Sequence, residues 1–372
     1  MKKILIISTL PPPFHGVTFY NEMLLSSKIS NFFSIHHLDI SDKRSLDNLG
    51  KIDIINVSLG FKNFFSLIKL LFKIKPDLVY LPISQNIAYL RDGIFIIISR
   101  FFSKRRIVVH LHGSNFKNYY SNSNFIFKKF VDYTLARVDS AIVYSHSLKH
   151  IFKKWIKNIE IVPIGTTFKA EIISRDNREI TISYLGNLIQ SKGIEDFVKA
   201  ANIVLKKHKN IKFKIGGSWP KKEEKLKNEL LHFINKNKII DNIEFLDFIP
   251  NDDKEKFFLT TSIFVFPSCN EGQPLVILEA MAAGCPVISI KDVGAIPDTI
   301  IDGETGILVE KHNPEEIARA INCLIENPNI REKMGFNARK RFEENYTIEK
   351  NIDNMIKIFN KILKNNLEVA TN

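Results

Sequence analysis

The chain is predicted to be an α/β protein built from two doubly wound domains, and three observations predict it. Its 372 residues exceed what a single hydrophobic core ordinarily serves. Short Val/Ile/Leu-rich runs alternate with longer amphipathic stretches, the pattern of buried parallel strands joined by helices. The alternation occurs twice, with a polar connector between the two series.

In the first series KILIIST, DIINVS, DLVYLPI, RIVVHLHG and SAIVYS read as strands, and the intervening patterns as the helices of right-handed βαβ units. A connector over 160–177 contains IVPIGTTF and leads into the polar run SRDNRE. In the second series EITISYLGN, KFKIGGS, NIEFLDFI, SIFVFPS and PVISI read as strands. Between the first two lies IEDFVKAANIVLKK, a helix with apolar residues at 194, 197, 198, 201, 204 and 205. The expected domains are 1–167 and 168–347, with a terminal helix over about 348–364 packing back on the first. Two such sheets in tandem are expected to face each other across a cleft at the carboxyl ends of their strands, where ligands of doubly wound sheets bind.

Composition excludes several classes. Hydrophobic residues make up 45% and charged residues 25%, the balance of a folded globular chain. Three cysteines, Cys269, Cys285 and Cys323, form no CxxC pair, so a disulfide framework or structural zinc is not expected and a reducing, cytoplasmic location is. The start MKKILIISTLPPP reads as a buried strand rather than a signal peptide. No Walker A sequence, no GxGxxG after the first strand and no GxSxG elbow occurs.

Charge is unevenly distributed. Residues 1–170 hold 18 Lys and 6 Arg against 10 acidic residues, a balance of +14 within a total of +13. That points to an anionic partner for the first domain: a membrane surface, a lipid diphosphate or a nucleic acid. A solvated basic surface is the competing reading. FKNFFSLIKLLFKIK (61–75), FIIISRFFSKRR (95–106) and LKHIFKKWIKN (148–158) combine lysines and arginines with large apolar residues, as helices lying on an anionic membrane do. Helices covering a parallel sheet give the same composition. No nucleic-acid module is recognisable, so nucleic acid is not expected as a partner.

The sharpest chemical pattern is FPSCNEGQPLVILE, residues 266–279. It leaves a strand, crosses a polar loop and enters a helix expected to run from about Pro274 to Ala283, with Gly284 as its stop. The amides of Gly272, Gln273, Pro274, Leu275 and Val276 are expected at the helix N-terminus, an anion site suited to a phosphate. Glu271 precedes that site and Glu279 lies on the order of 8 Å further along at about 1.5 Å per residue. A pyrophosphate at the helix start would have its sugar near Glu271 and its ribose near Glu279, whose carboxylate accepts hydroxyl hydrogen bonds. Plainer readings are an acid favoured by the helix dipole and a solvated helix residue. A second pattern, YLGNLIQSKG (184–193), links a strand to a helix. There Gly186 lets the backbone approach a phosphate, and Lys192 is suited to stabilising a departing diphosphate.

The Glu-x7-Glu pair EGQPLVILE resembles that of the retaining GT-B glycosyltransferases of family 4, over nearly the whole chain and most densely from Tyr184 to Val309. PSCNEGQPLVILEAMAAGCPVIS and IPDTIIDGETGILVE carry the resemblance. It implies a GT-B fold of two Rossmann-like domains facing across a cleft, and transfer of a sugar from a nucleotide-sugar donor with retention and without a metal or other cofactor. It assigns the donor sugar to Glu271 and the ribose to Glu279. Lys192 matches a family lysine, but Asn187 stands where the family usually has arginine and offers a phosphate a neutral hydrogen bond in place of the charged bidentate fork. Gly16, in PPPFHGVT with His15 in place of a first glycine, matches a loop under the donor. His112 of VHLHGS matches a histidine facing the donor sugar, while His110 reads as structural. Gly217 matches a turn near the nucleotide, and Phe248 lies where nucleobase contacts fall.

The expected activity is therefore hexosyl transfer from a nucleoside diphosphate sugar to a glycan acceptor. The acceptor is expected to be carried on a lipid diphosphate, for surface polysaccharide assembly, with the protein peripheral on the inner face of the cell membrane. A nucleotide-sugar epimerase, a phosphorylase, or a non-catalytic anion-binding subunit are the alternatives.

Overall fold

The computed structural model describes residues 1–13, 16–44, 53–102, 106–170 and 179–364. His15 lies outside them, as do residues 103–105 of FIIISRFFSKRR and most of SRDNRE. The chain divides into two compact units: Met1–Pro163 with the segment from Glu349, and Ile164–Ile348.

The first unit is a six-stranded sheet in the order β2-β1-β3-β4-β5-β6. Its strands are β1 (Lys3–Ser8), β2 (Ser34–Asp39), β3 (Leu78–Ile83), β4 (Arg106–Leu111), β5 (Ser140–Val143) and β6 (Asn158–Ile161), and every pairing is parallel. The central strands are apolar on both faces because helices cover both: Ile4, Leu5, Ile7, Val108, Val109, Ala141 and Ile142 are fully buried. The terminal helix Ile348–Lys364 closes this unit. Its Phe359 ring lies 5.6 Å from Tyr80 and 6.0 Å from Phe33, and Asn351 Nδ2 donates to Pro163 O at 2.6 Å.

DIINVS is not a strand. Residues Ile54–Ile74 form one 21-residue helix, started by Asp53, whose carboxylate accepts from the Asn56 amide at 2.7 Å. The apolar run misleads because it continues at helical spacing into FKNFFSLIKLLFKI, and Ile54, Ile55 and Val57 are exposed rather than buried. The place beside β1 is taken by SIHHLD, whose two histidines hide it from a search for apolar runs. β6 likewise occupies the start of the expected connector.

The second unit is a six-stranded parallel sheet in the order β12-β11-β10-β7-β8-β9. Its strands are β7 (Thr181–Leu185), β8 (Lys212–Gly216), β9 (Ile243–Phe245), β10 (Ile263–Phe266), β11 (Val287–Ile290) and β12 (Gly306–Val309). Counted from β7 this is the 3-2-1-4-5-6 order of a dinucleotide-type sheet, whose switch point falls between β7 and β10. The Ile194–Lys207 helix buries the expected face, Ile194, Phe197, Val198, Ala201, Val204 and Leu205. β12 is four residues of the GETGILVE segment, too short to announce itself as a strand.

Candidate active site

The loops leaving β7 and β10 meet at the switch point of the second unit, and backbone bonds hold them together. The Cys269 amide donates to Ser191 O at 2.9 Å, and Ser268 Oγ to the same oxygen at 3.3 Å. Under the β7 loop the Tyr184 hydroxyl donates to Asn187 O at 3.2 Å and Lys192 O at 3.3 Å. Burial first, and the Glu271 charge second, push that phenol well above its ordinary range, so it stays a donor. On the other side Gly186 N donates to Gly216 O at 3.0 Å and Leu188 N to Ser218 O at 3.1 Å. Gly217 sits at φ +143°, where an added Cβ would fall 1.9 Å from Gly186 O. Gly186 and Gly217 are thus packed backbone to backbone, as a loop cradling a ligand with its main chain requires.

This framework joins Lys192 to Glu271, with Nζ 2.5 Å from Oε1 and only 24% and 11% of the two side chains exposed. Lys192 also lies 5.8 Å above the Phe266 ring. The Glu271–Gly272 backbone is backed by the turn at Gly294, where Ala295 N donates to Gly272 O at 2.7 Å. A Cβ on Gly294, at φ +53°, would meet Glu271 O at 2.2 Å and Gly272 O at 2.4 Å.

The helix after Glu271 begins one residue later than expected and is Leu275–Ala282. Pro274 is its N-cap, with an extended ψ of 121°, and Ala283 its C-cap. Pro274 has no N–H, so it adds nothing to the anion site except its fixed φ. The amides of Gly272, Gln273, Leu275 and Val276 have no acceptor among the described residues. The Gln273 side chain is turned inward: its Oε1 accepts from Ile164 N at 2.7 Å and its Nε2 donates to Thr299 Oγ1 at 3.0 Å. Only its main-chain amide remains for a ligand. Glu279, one turn into the helix and 5% exposed, is held by Lys254 from the helix Asn251–Leu259, with Nζ 2.9 and 3.1 Å from its two oxygens. Asn187 is exposed and Phe248 is 71% exposed, so neither side chain is spent on packing.

In the first unit Gly16 is exposed at the start of the helix Gly16–Leu25. His112 follows β4 directly, and its ring lies 4.2 Å from that of His110. The Tyr144 hydroxyl is hydrogen-bonded to His112 Nδ1, and Tyr80 Oη lies 2.6 Å from His110 Nδ1. Burial first, then the neighbouring His112, lowers His110 well below the ordinary histidine range, which makes it a neutral core residue. Among the described residues no group of three or more His, Cys, Asp and Glu side chains gathers as a metal site.

Three residues of these sites escape a sequence reading: Lys254, Tyr144 and Gly294. Lys254 lies in the charged run NDDKEKFF, which has no motif, and Tyr144 in an apolar strand end. Gly294 is the one with a signal, a glycine directly before AIPDT in a turn.

Residues 166–341 match the profile of glycosyl transferases group 1. The capsular polysaccharide biosynthesis glycosyltransferase CapM of Staphylococcus aureus is 30% identical over 261 residues, which cover 64% of this chain and 67% of CapM. The matches to two further relatives, both uncharacterized glycosyltransferases, span 59% and 62% of those proteins. Among solved structures, sucrose-phosphate synthase from Thermosynechococcus elongatus superposes with a TM-score of 0.76 at 18% identity, covering 98% of this chain and 100% of that one. Anabaena HepE in complex with UDP also gives 0.76, at 15% identity and covering 97% and 100%. The chain belongs to the glycosyl transferases group 1 and is a glycosyltransferase with the GT-B fold.

Proposed function

We propose that this glycosyltransferase takes a nucleoside diphosphate sugar at the switch point of its second unit and transfers the sugar to a glycan acceptor with retention. The observation that carries the reading is the run of open amides at Gly272, Gln273, Leu275 and Val276 between two partly buried carboxylates, with Lys192 beside the first. The amides and Lys192 stabilise charge as the diphosphate leaves. Glu271 accepts from hydroxyls of the transferred sugar and Glu279 from the ribose. Gly186, Asn187, Gly217 and Phe248 border the nucleotide, and Gly16 and His112 are assigned to the donor by family resemblance. The bond between the anomeric carbon and the phosphate oxygen breaks with its electron pair going to the diphosphate. The acceptor oxygen then bonds the anomeric carbon on the face just vacated, and its proton passes to the departing phosphate. No metal is required in this scheme, because fixed amides and a lysine supply the positive charge.

The acceptor in this reading is a glycan on a lipid diphosphate in surface polysaccharide assembly, a proposal supported by the likeness to CapM and by the +14 balance of residues 1–170. The protein then works in the cytoplasm, peripheral on the inner face of the membrane. Thermal shift with a panel of nucleoside diphosphates and their sugars, in the presence of EDTA, tests the donor assignment. At least one compound is expected to raise the midpoint of the native chain, and Glu279→Ala and Lys192→Ala to abolish the response. No response from the native chain to any of them sinks the donor reading.

A further inference from the structure

The helix Ile54–Ile74 has two apolar sides, and the fold uses one. Asn63, Leu67, Leu71 and Ile74 are buried in the first unit. At 3.6 residues per turn, about 100° each, Ile54, Phe61, Phe65 and Phe72 fall within roughly 40° of one another on the opposite side. These four, and Phe101 at the end of the neighbouring helix Tyr89–Phe102, are between 60% and 88% exposed. The Phe72 ring lies 5.1 Å from Phe102, which lies 4.9 Å from Phe101, so the stripe runs from one helix to the next. Scattered exposed apolar residues are ordinary, but large exposed apolar side chains aligned on one side of a helix and continued onto the next helix form an interaction surface.

Charge identifies the partner. Lys62, Lys69 and Lys73 follow one another along one flank of the stripe, roughly 60° to 100° around the helix from Ile54. The helix contains no Asp or Glu, and no ion pair joins these lysines to a described carboxylate. Arginines elsewhere in the unit are engaged internally: Arg44 with Asp42 and Asp53, Arg91 with Asp92, and both Arg100 and Arg106 with Asp139. Aromatic rings in a row with an acid-free lysine edge match the boundary between acyl chains and anionic headgroups.

We propose that this face seats the protein on an anionic lipid surface, the rings at the acyl boundary and the lysines among the headgroups. It deepens the membrane reading above by naming the seat, and it is independent of the donor assignment. The helix is long and apolar enough to cross a bilayer, but Leu67 and Leu71 are packed inside the unit at 0% and 2% exposure, so it lies along the surface.

Flotation of the full chain with phosphatidylcholine vesicles, with and without phosphatidylglycerol, tests this. The native chain floats with the anionic vesicles and much less with the neutral ones, and alkaline carbonate releases it. Phe61→Ser with Phe65→Ser lowers partitioning at least about tenfold, given the apolar area two rings bury. Replacing Lys62, Lys69 and Lys73 by Gln lowers it roughly fivefold per lysine on anionic vesicles only. Both variants keep the unliganded thermal midpoint and the response to nucleoside diphosphates, which reports the other unit. The proposal is overturned if the native chain fails to float, if either variant floats like it, or if carbonate leaves it bound. It is equally overturned if vesicle-free gel filtration shows a dimer that the Phe61/Phe65 variant dissolves.

Discussion

Lys254 and Glu279 form the most informative pair to perturb, because Glu279 carries the ribose assignment and its charge is nearly sealed from water. The carboxylate belongs to a residue 5% exposed, and Lys254 Nζ lies 2.9 and 3.1 Å from its oxygens. At ~3 Å and an effective dielectric constant of about 20, the gross attraction is about 5 kcal/mol. Desolvation of both groups consumes much of it, and breaking a buried pair from one side costs about 3–5 kcal/mol. The Lys254 side chain is 19% exposed and keeps part of its hydration, which places the expected cost at the low end. Lys254→Met should therefore destabilise the second unit by about 3 kcal/mol, and Glu279→Gln by about 2 kcal/mol, since the lysine relaxes toward water. In a double-mutant cycle followed by urea unfolding, the double variant should fall short of the sum by about 1–3 kcal/mol. Glu279→Gln should also weaken nucleoside diphosphate binding about tenfold or more, because an amide offers one acceptor where the carboxylate offers two. Additivity of the two substitutions within about 0.5 kcal/mol would refute the pairing.

Four further substitutions have expected outcomes. Gly294→Ala drives a methyl into the Glu271 and Gly272 carbonyls, so it should lower the midpoint and abolish the nucleotide response. Gly303→Ala, at φ +76° with nothing within 4 Å of its Cβ, should cost only the left-handed penalty of about 1–2 kcal/mol and keep that response. Asn187→Arg restores a charged fork on an exposed loop position and should tighten nucleoside diphosphate binding about tenfold, measured by calorimetry; unchanged affinity would remove Asn187 from the donor site. His110 is neutral in the fold, so below the unfolded value of about 6.5 the unfolded chain binds the extra proton. Stability present above that pH is lost on acidification, by up to about 1.4 kcal/mol per pH unit, and His110→Asn should remove that slope.

What the residues disclosed and what they hid follow one physical line. Strands buried on both faces, such as ILII in β1 and IFVF in β10, announce themselves because a parallel sheet demands continuous apolar runs. The edge strand SIHHLD needs no such run, since one flank of it is open. DIINVS failed for the opposite reason: its apolar side chains face outward, where a rule based on burial has no purchase. In the site, local chain chemistry was legible: a strand, a loop with Glu271 and Gly272, and a helix start. The partners were not. Lys254 reaches Glu279 across 25 positions and Lys192 reaches Glu271 across 79, and no spacing rule encodes either contact.

Those two contacts share a logic. Each places a lysine on a carboxylate: Glu271 lies just before the N-terminus of the helix Leu275–Ala282, where the dipole favours negative charge, and Glu279 one turn inside it, where its charge relies on Lys254. The site without ligand thus holds two acids and two bases with the helix amides open. In the proposed donor reading a diphosphate carries the charge those amides and Lys192 favour, so its arrival would draw Lys192 from Glu271 and free that carboxylate for hydroxyls. Lys254 has no such competitor near Glu279, and the ribose hydroxyls must share the carboxylate with it. The donor reading therefore requires different behaviour of the two lysines: Lys192→Met should cost affinity for the diphosphate itself, while Lys254→Met should leave diphosphate alone unaffected and change only the binding of the nucleoside part.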